Sequence, residues 1–140
     1  MRPAPDGNQY AFLQTATNPG AFSQTITFTL SGTYRLSYLV AGRADNGEGA
    51  TGALSYQVLF DSLVIGSDAT TTSQPFTLRS FDFVASAGSH TLTFEAMPDS
   101  ADNTAFFDVV SIQTVPEPTV SVFLLSSISG LLFVRAVRRR

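Results

Sequence analysis

A recurrent alternation of apolar and polar residues is the feature that most constrains this chain. In residues 22–30, FSQTITFTL, the even positions are apolar except for Gln24, and the odd positions are serine or threonine. Successive side chains of a β-strand point to opposite faces, so this alternation is typical of a strand with one buried face. The same pattern continues in residues 34–40 after Ser31 and Gly32, a turn sequence. The two stretches are therefore predicted to form a β-hairpin.

Further stretches of the same kind follow each other along the chain, separated by Gly, Asn and Asp. They are residues 8–14, 54–60, 63–67, 75–84, 89–97 and 105–114. No amphipathic helix is predicted before residue 118, so the fold class is all-β, an antiparallel β-sandwich of jelly-roll type with about eight strands. Within residues 75–84 the apolar phase slips between Leu78 and Phe81, which predicts a β-bulge or a bend at Arg79 and Ser80.

Composition excludes several functional classes. The chain has no cysteine, which excludes a disulfide framework, a thiolate metal site and a cysteine nucleophile. Residues 1–118 carry four arginines against eleven acidic residues, whereas the last six residues carry four arginines. An acidic body repels phosphate backbones, so no nucleic-acid partner is predicted. Cations, neutral sugars and protein surfaces are left as partners.

Four segments carry a resemblance to a known family. They are PDGNQYAFLQ, FSQTITFTLSGTYRLSYLVAGR, FDFVASAGSHTLTFEA and TAFFDVVSI, and together they extend over roughly residues 5–114. They resemble the galactose-binding-like jelly-roll modules of bacterial secreted proteins. The resemblance implies a jelly-roll domain at residues 1–114 and a carbohydrate-binding or cell-surface role. Because a fold does not fix a function, this role is an analogy.

Asp108 is the candidate metal ligand. It is in phase with Phe106, Val110 and Ile112, so it points inward if those residues face the core. A buried carboxylate needs partners. The resemblance implies a structural Ca²⁺ between the last strand and the N-terminal segment, which would require several oxygen ligands. The alternative is a carboxylate held by backbone N–H groups or by Arg43, or exposed at the end of the strand.

Two acidic loops are the candidates for ligand contacts. Residues 43–52 contain Asp45, Asn46 and Glu48, and residues 97–103 contain Asp99 and Asp102. Neither loop reproduces the spacing of a calcium loop, and an Asn-Gly pair is a common turn, so solvated loops are the simpler prediction. Loops at the ends of a sandwich nonetheless carry many binding sites, which makes both loops candidates.

Catalytic chemistry is not predicted. His90 is the only histidine and is in phase with Leu92 and Phe94, which favours a packed or rim position over a general base. The spacing of the carboxylates singles out no pair of the kind that glycosidases use. The chain is therefore predicted not to be an enzyme.

Sugar-binding sites commonly present an aromatic face, and this chain has no tryptophan. Tyr10, Tyr38 and Tyr56 are each interpreted as core residues or as platforms for a sugar ring, and the core interpretation is favoured. A sugar site would then depend mainly on hydrogen bonds.

The C-terminal residues differ from the rest of the chain. Residues 119–134 are uncharged and would span about 24 Å as a helix, against about 30 Å of hydrocarbon in a bilayer. Extending the helix through Arg135 to residue 137 gives about 28 Å, with the Arg135 side chain reaching the interface. Arg138, Arg139 and Arg140 would stay at the cytoplasmic face. The sequence predicts one transmembrane helix with the N-terminal domain outside the cytoplasm.

Val115, Pro116, Glu117 and Pro118 precede this helix, and the prolines favour an extended segment there. A PEP motif at 116–118, an apolar helix at 119–134 and an Arg-rich end at 135–140 closely resemble the PEP-CTERM sorting signal. The resemblance implies recognition by exosortase, a membrane protease of Gram-negative bacteria that make exopolysaccharide. Cleavage near residues 116–118 would release the domain to the cell surface or extracellular matrix.

Export also requires an N-terminal leader, and the first 14 residues contain no apolar region. We therefore expect the true start of translation to lie upstream of Met1. The predicted function is an exported cell-surface or matrix module that binds polysaccharide. The alternatives are a structural or adhesive biofilm matrix protein without a small ligand, and a glycan-acting enzyme.

Overall fold

Eight β-strands and no helix make up the described part of the chain, residues 3–15, 20–45, 47 and 51–116 of a computed structural model. The strands are β1 (Ala11–Thr15), β2 (Ala21–Phe28), β3 (Gly32–Gly42), β4 (Ser55–Phe60), β5 (Leu63–Ala69), β6 (Thr77–Ala85), β7 (Gly88–Ala96) and β8 (Asn103–Thr114). Each strand coincides with one of the alternating stretches of the sequence.

The strands form two four-stranded antiparallel sheets. The first sheet has the order β1-β8-β3-β6 and the second the order β2-β7-β4-β5. Successive strands alternate between the sheets except at β4 and β5, which is the arrangement of a jelly roll. The predicted all-β antiparallel sandwich is therefore confirmed.

The core lies between the inner faces of the two sheets. On β3 the alternating residues Tyr34, Leu36, Tyr38 and Val40 are all buried. The facing sheet contributes another set of buried apolar side chains, among them Phe28, Tyr56, Val58, Phe60, Leu92 and Phe94. Burial of these side chains removes apolar surface from water and is the main force that holds the sheets together.

The predicted hairpin between β2 and β3 is wrong. β2 pairs with β7 in one sheet, whereas β3 pairs with β6 and β8 in the other. The connection crosses from sheet to sheet, and Leu30 in it is exposed instead of buried. Alternation reports that both strands face a core, and it carries no information about which strand pairs with which.

The predicted bulge at Arg79 and Ser80 is also wrong. The pairing of β3 with β6 runs without interruption, with Arg79 opposite Tyr38 and Ser80 opposite Ser37. The strand keeps its phase because Leu78 is exposed on the outer face and Arg79 points inward. Arg79 forms an ion pair with Asp68 of β5, and this bond raises the pKa of the guanidinium. An inter-sheet ion pair thus occupies the position where an apolar residue was expected.

The predicted C-terminal helix lies outside the described residues. Val115 donates its N–H to the carbonyl of Thr33 at 2.9 Å, and Pro116 is exposed. Glu117, Pro118, the apolar residues 119–134 and the arginines Arg135, Arg138, Arg139 and Arg140 all follow the last described residue. Among the described residues the structure contains no helix that could span a membrane.

Candidate functional site

A cleft lies on the outer face of the first sheet, between the N-terminal segment and strands β1 and β8. Its volume is about 770 Å³, within the usual range of ligand pockets. It is lined by Pro3, Ala4, Gly7, Asn8, Gln9, Tyr10, Phe12, Gln14, Arg43, Thr104 and Phe106. The N-terminal segment forms one wall, and outward-facing side chains of the sheet form the floor.

The aromatic part of the cleft is formed by Tyr10, Phe12 and Phe106. Phe12 lies directly opposite Phe106 in the pairing of β1 with β8, so both rings stand on the outer face. The Tyr10 ring packs edge-on against Phe106 with centroids 4.9 Å apart. Phe12 is 59% exposed, which is unusual for a phenylalanine in a sandwich this small. These rings can receive the apolar face of a ligand.

The polar part of the cleft is formed by Gln14, Arg43 and Thr104. Asp102, just behind the lining, connects two of them: its Oδ1 accepts a hydrogen bond from the Gln14 amide, and its Oδ2 lies 3.5 Å from Arg43 Nη1. Arg43 Nη1 also lies 3.3 Å from the Thr104 hydroxyl. The side chains that can bond to ligand hydroxyls are therefore held in place by one another.

The backbone beneath Arg43 is fixed as well. The Arg43 N–H donates to the Thr104 carbonyl at 3.1 Å, and the Arg43 carbonyl accepts from the Ser73 N–H at 2.9 Å. Gly52 packs directly against this backbone, and a Cβ at Gly52 would clash with the Arg43 nitrogen and oxygen. A side chain supported in this way is positioned before a ligand arrives, which lowers the entropic cost of binding.

The two acidic loops differ in how they relate to the cleft. Asp102 is not itself a lining residue, but it contacts two of them, Gln14 and Arg43. Asp99 accepts hydrogen bonds from the Ala101 N–H and the Asn103 amide within its own loop. Asp45 accepts from the Gly47 N–H at 2.8 Å, which is the turn that the sequence indicated. Asn46 and Glu48 lie outside the described residues. The assignment of these five residues to ligand contacts stays a prediction.

The inward orientation considered for Asp108 is wrong. Phe107 is in the core, whereas Phe106 and Asp108 stand on the outer face. The phase of β8 changes at a bulge, where Val109 has a φ of 52°, so Ile112 packs against the core although Phe106 does not. Counting alternate residues along the whole of β8 as one face ignores this bulge and places the Asp108 carboxylate on the wrong face.

Both oxygens of Asp108 have backbone donors. Oδ1 accepts from the Val109 N–H at 2.8 Å, and Oδ2 accepts from the Asp6 N–H at 3.1 Å. The described residues contain no group of three or more acidic or histidine side chains that could hold a metal ion. This setting matches the alternative of a carboxylate held by N–H groups, and it does not fit the several oxygen ligands that Ca²⁺ requires.

The three tyrosines separate into two groups. Tyr38 and Tyr56 are fully buried, and their hydroxyls lie 3.0 Å apart. Burial is the largest cause that raises the pKa of both phenols, that of Tyr56 to about 12. Tyr10, in contrast, lines the cleft. The core interpretation is confirmed for Tyr38 and Tyr56, and the platform interpretation of Tyr10 stays a prediction.

His90 is packed at the rim of the core. Its ring stacks on Phe60 at 4.8 Å, Nδ1 lies 2.8 Å from Asp61 Oδ2, and Nε2 lies 3.2 Å from the Ser86 hydroxyl. The side chains of Ser86, His90 and Asp61 therefore follow one another in the order of a Ser-His-Asp triad. Nε2 is, however, equally close to the Ser86 carbonyl at 3.1 Å, and the N–H of Ala87 already donates to Ser31. The contacts of His90 therefore connect the turn at Asp61 with the turn at Ser86. The hydrogen bond with His90 lowers the pKa of Asp61.

Sequence reasoning missed Phe12, Gln14 and Thr104. A usable indication was present, because Ala11, Phe12 and Leu13 are three consecutive apolar residues. A strand that is apolar on both faces has one apolar face directed away from the core unless another layer covers it. For Gln14 and Thr104 the sequence offers no such indication, since polar residues facing outward are the rule.

Comparison with known proteins gives a fold and no family. No protein-family model and no curated protein sequence matches the chain. Solved structures of similar length do match. One is the EclA C-terminal domain, described as a sugar-binding protein, with a TM-score of 0.58 at 14% identity over 77% of this chain and 81% of that one.

Two other solved structures extend the comparison. Carbohydrate-binding module CBM36 in complex with calcium and xylotriose matches with a TM-score of 0.55 at 15% identity, over 77% of this chain and 91% of the module. A ruminal GH26 endo-β-1,4-mannanase matches with a TM-score of 0.57 at 18% identity over 81% of this chain. The chain spans only 21% of the mannanase. The sandwich is thus similar in fold to carbohydrate-binding modules.

Proposed function

We propose that this protein is a non-catalytic carbohydrate-binding module that is exported and carried to the cell surface or extracellular matrix. The observation that carries the proposal is the cleft itself, in which the exposed Phe12 ring and the half-buried Tyr10 and Phe106 rings lie beside fixed amide, guanidinium and hydroxyl groups. Sugars have apolar ring faces and hydroxyl edges, and this combination suits both. The similarity in fold to carbohydrate-binding modules supports the same proposal.

In this proposal each part of the cleft has a separate task. Phe12 and Tyr10 cover the apolar face of a sugar ring and exclude water from it. Gln14, Arg43 and Thr104 bond to hydroxyls at the ring edge. No bond is made or broken, and the proposed sugar contacts come from these side chains. The structural Ca²⁺ considered for Asp108 stays a prediction; a CBM36 neighbour is a complex with calcium.

Calorimetry with short oligosaccharides tests the binding proposal. Xylohexaose and mannohexaose are suitable probes, because a CBM36 neighbour is a complex with xylotriose and another neighbour is a β-1,4-mannanase. Phe12→Ala is expected to weaken binding about fivefold or more, as loss of a central aromatic contact does. Leu78→Ala is the matched control, since Leu78 is 64% exposed on the outer face of the opposite edge strand.

The binding result also separates the alternatives. Binding that Phe12→Ala weakens about fivefold or more and Leu78→Ala leaves unchanged supports the proposal. Self-association of the protein in the absence of any sugar binding would instead favour the adhesive matrix protein. Release of reducing ends from xylan or mannan would favour a glycan-acting enzyme.

Export and sorting rest on the sequence of residues 115–140. We propose that exosortase recognises Pro116, Glu117 and Pro118 after the apolar residues have entered the membrane. Fused to a reporter in a host with exosortase, residues 115–140 are expected to yield a product shortened near residue 118. Full-length mass in that host would contradict the sorting proposal and leave the binding proposal unaffected.

A further inference from the structure

The cleft contains a single charged side chain among its described lining residues, Arg43. The other described lining side chains include amides, a hydroxyl and aromatic rings. An arginine in such a setting can hold a carboxylate with two parallel hydrogen bonds, which favours acidic ligands. Taken alone, the lining would therefore select sugars that carry a carboxylate.

The carboxylate of Asp102, which is not itself a lining residue, partly compensates the positive charge of Arg43. Its Oδ2 lies 3.5 Å from Arg43 Nη1, and its Oδ1 holds the Gln14 amide. The Asp102 side chain is 41% exposed and that of Arg43 is 28% exposed, so both charges lie close to the space a ligand would occupy. The contact is long for an ion pair and adds little stability, but it places a negative charge next to Arg43, the one charged side chain among the described lining residues.

The net negative charge of the whole domain also disfavours acidic ligands. Residues 1–118 carry four arginines and eleven acidic residues. Such an excess repels an approaching polyanion at low ionic strength. With Arg43 compensated locally, nothing in the described cleft offsets that repulsion.

From these contacts we propose that Asp102 is the residue that makes the cleft select neutral glycans over acidic ones. The inference rests on the proposed carbohydrate-binding function. Asp102 acts as a positioning and charge-setting residue: it orients Gln14 and Arg43 toward ligand hydroxyls and prevents Arg43 from capturing a carboxylate.

Asp102→Asn tests the proposal, because asparagine keeps an oxygen for Gln14 and removes the charge. The probes are unsubstituted xylan and glucuronoxylan, which share a backbone and differ in a carboxylate. The native chain is expected to bind xylan more tightly. In Asp102→Asn the affinity for glucuronoxylan is expected to rise about two- to fivefold relative to xylan, the size expected of one partly exposed charge. The gain should vanish in 1 M salt, where the Debye length is about 3 Å.

Arg43→Gln provides the opposite change. It leaves the Asp102 charge uncompensated, so the relative affinity for glucuronoxylan is expected to fall further. Asp82→Asn is the matched control: it also removes a carboxylate from an arginine pair, at 2.6 Å from Arg35, on the opposite edge strand. It should leave the ratio of the two affinities unchanged apart from the general effect of one charge.

The outcomes separate the two proposals. Xylan binding by the native chain with an unchanged ratio in Asp102→Asn and Arg43→Gln overturns the inference about Asp102 and leaves the binding proposal standing. An equal shift in Asp82→Asn also overturns it, because overall charge would then explain the effect. Failure of the native chain to bind any glycan overturns the proposed function and the inference with it.

Discussion

Two groups of aromatic side chains lie on opposite faces of the first sheet. One, here called the closed cluster, consists of Tyr38, Tyr56, Phe94 and Phe107 and is fully enclosed between the sheets. The other comprises the rings of the cleft. Phe106 and Phe107 are neighbours in sequence, and one belongs to each group. A single strand thus supplies the same residue type to stability on one face and to a candidate binding surface on the other.

The contrast shows what decides the role of an aromatic residue. In the closed cluster the Phe107 ring centroid lies 5.0–5.9 Å from the centroids of the Tyr38, Tyr56 and Phe94 rings, and the two tyrosine hydroxyls bond to each other. In the cleft the Phe12 ring is mostly exposed. A ring that is covered by other side chains on all sides contributes to the stability of the fold. A ring with one exposed face can contribute to binding.

The largest expected effect on stability comes from truncating a ring of the closed cluster, and truncating a ring of the cleft provides the comparison. Phe107→Ala is expected to lower the free energy of unfolding by about 3–5 kcal/mol, because it removes a buried ring and leaves a cavity. Phe12→Ala should change it by no more than about 1 kcal/mol, since its ring is mostly exposed. Urea unfolding of both variants measures the difference, and equal losses would abolish the distinction between the two groups.

A smaller effect is expected from the tyrosine pair. Tyr38→Phe leaves the buried Tyr56 hydroxyl without its partner and should cost about 1–3 kcal/mol. Tyr38→Phe combined with Tyr56→Phe removes both hydroxyls and should recover much of that loss. Thermal unfolding of the single and double variants checks this, and a double variant less stable than either single one would contradict the pairing.

The same pair predicts a loss of stability in alkali. A phenol with a raised pKa stabilises the folded state fully below its unfolded pKa of about 10 and loses that contribution as pH rises through its folded pKa. Burial raises the pKa of Tyr56 to about 12 and also raises that of Tyr38. Stability should therefore fall as pH rises from about 10 to 12. Absorbance titration at 295 nm should show two phenols that ionise only on unfolding.

The smallest effect is expected on the outer face, at the ion pair of Arg35 and Asp82. The bond with Arg35 lowers the pKa of Asp82, so the pair stabilises the fold at neutral pH, and the contribution is lost as pH falls below the usual carboxyl range. Asp82→Asn should change stability least of these variants and should flatten the acid limb of the curve. Unfolding measured between pH 7 and pH 3 checks this.

The sequence predicted most of the fold because alternation is imposed by the pleat of a strand. All eight strands and the two-layer class follow from it. The strand pairing of β2 did not follow, since partners are chosen by the whole sandwich. The prediction of which β8 side chains face the core was wrong, because the bulge at Val109 depends on a local backbone conformation that the residue types do not indicate.

The candidate site was less predictable for a related reason. Asp102 was found as an acidic loop residue, but its partners Gln14 and Arg43 lie far away in sequence and meet it only after folding. Phe12 could have been suspected from the apolar run around it. Tyr10 was found only as one of three equivalent tyrosines, and burial alone distinguishes it from the others.

The central claim is that the open aromatic cleft binds carbohydrate. The most direct test is an NMR titration of the isotope-labelled protein with xylohexaose or mannohexaose, following backbone and side-chain resonances. We expect shifts concentrated at the cleft, with the closed cluster unaffected; the cleft residues are Tyr10, Phe12, Gln14, Arg43 and Thr104. Shifts confined to the loop ends of the sandwich, or none at all with either sugar, would contradict it.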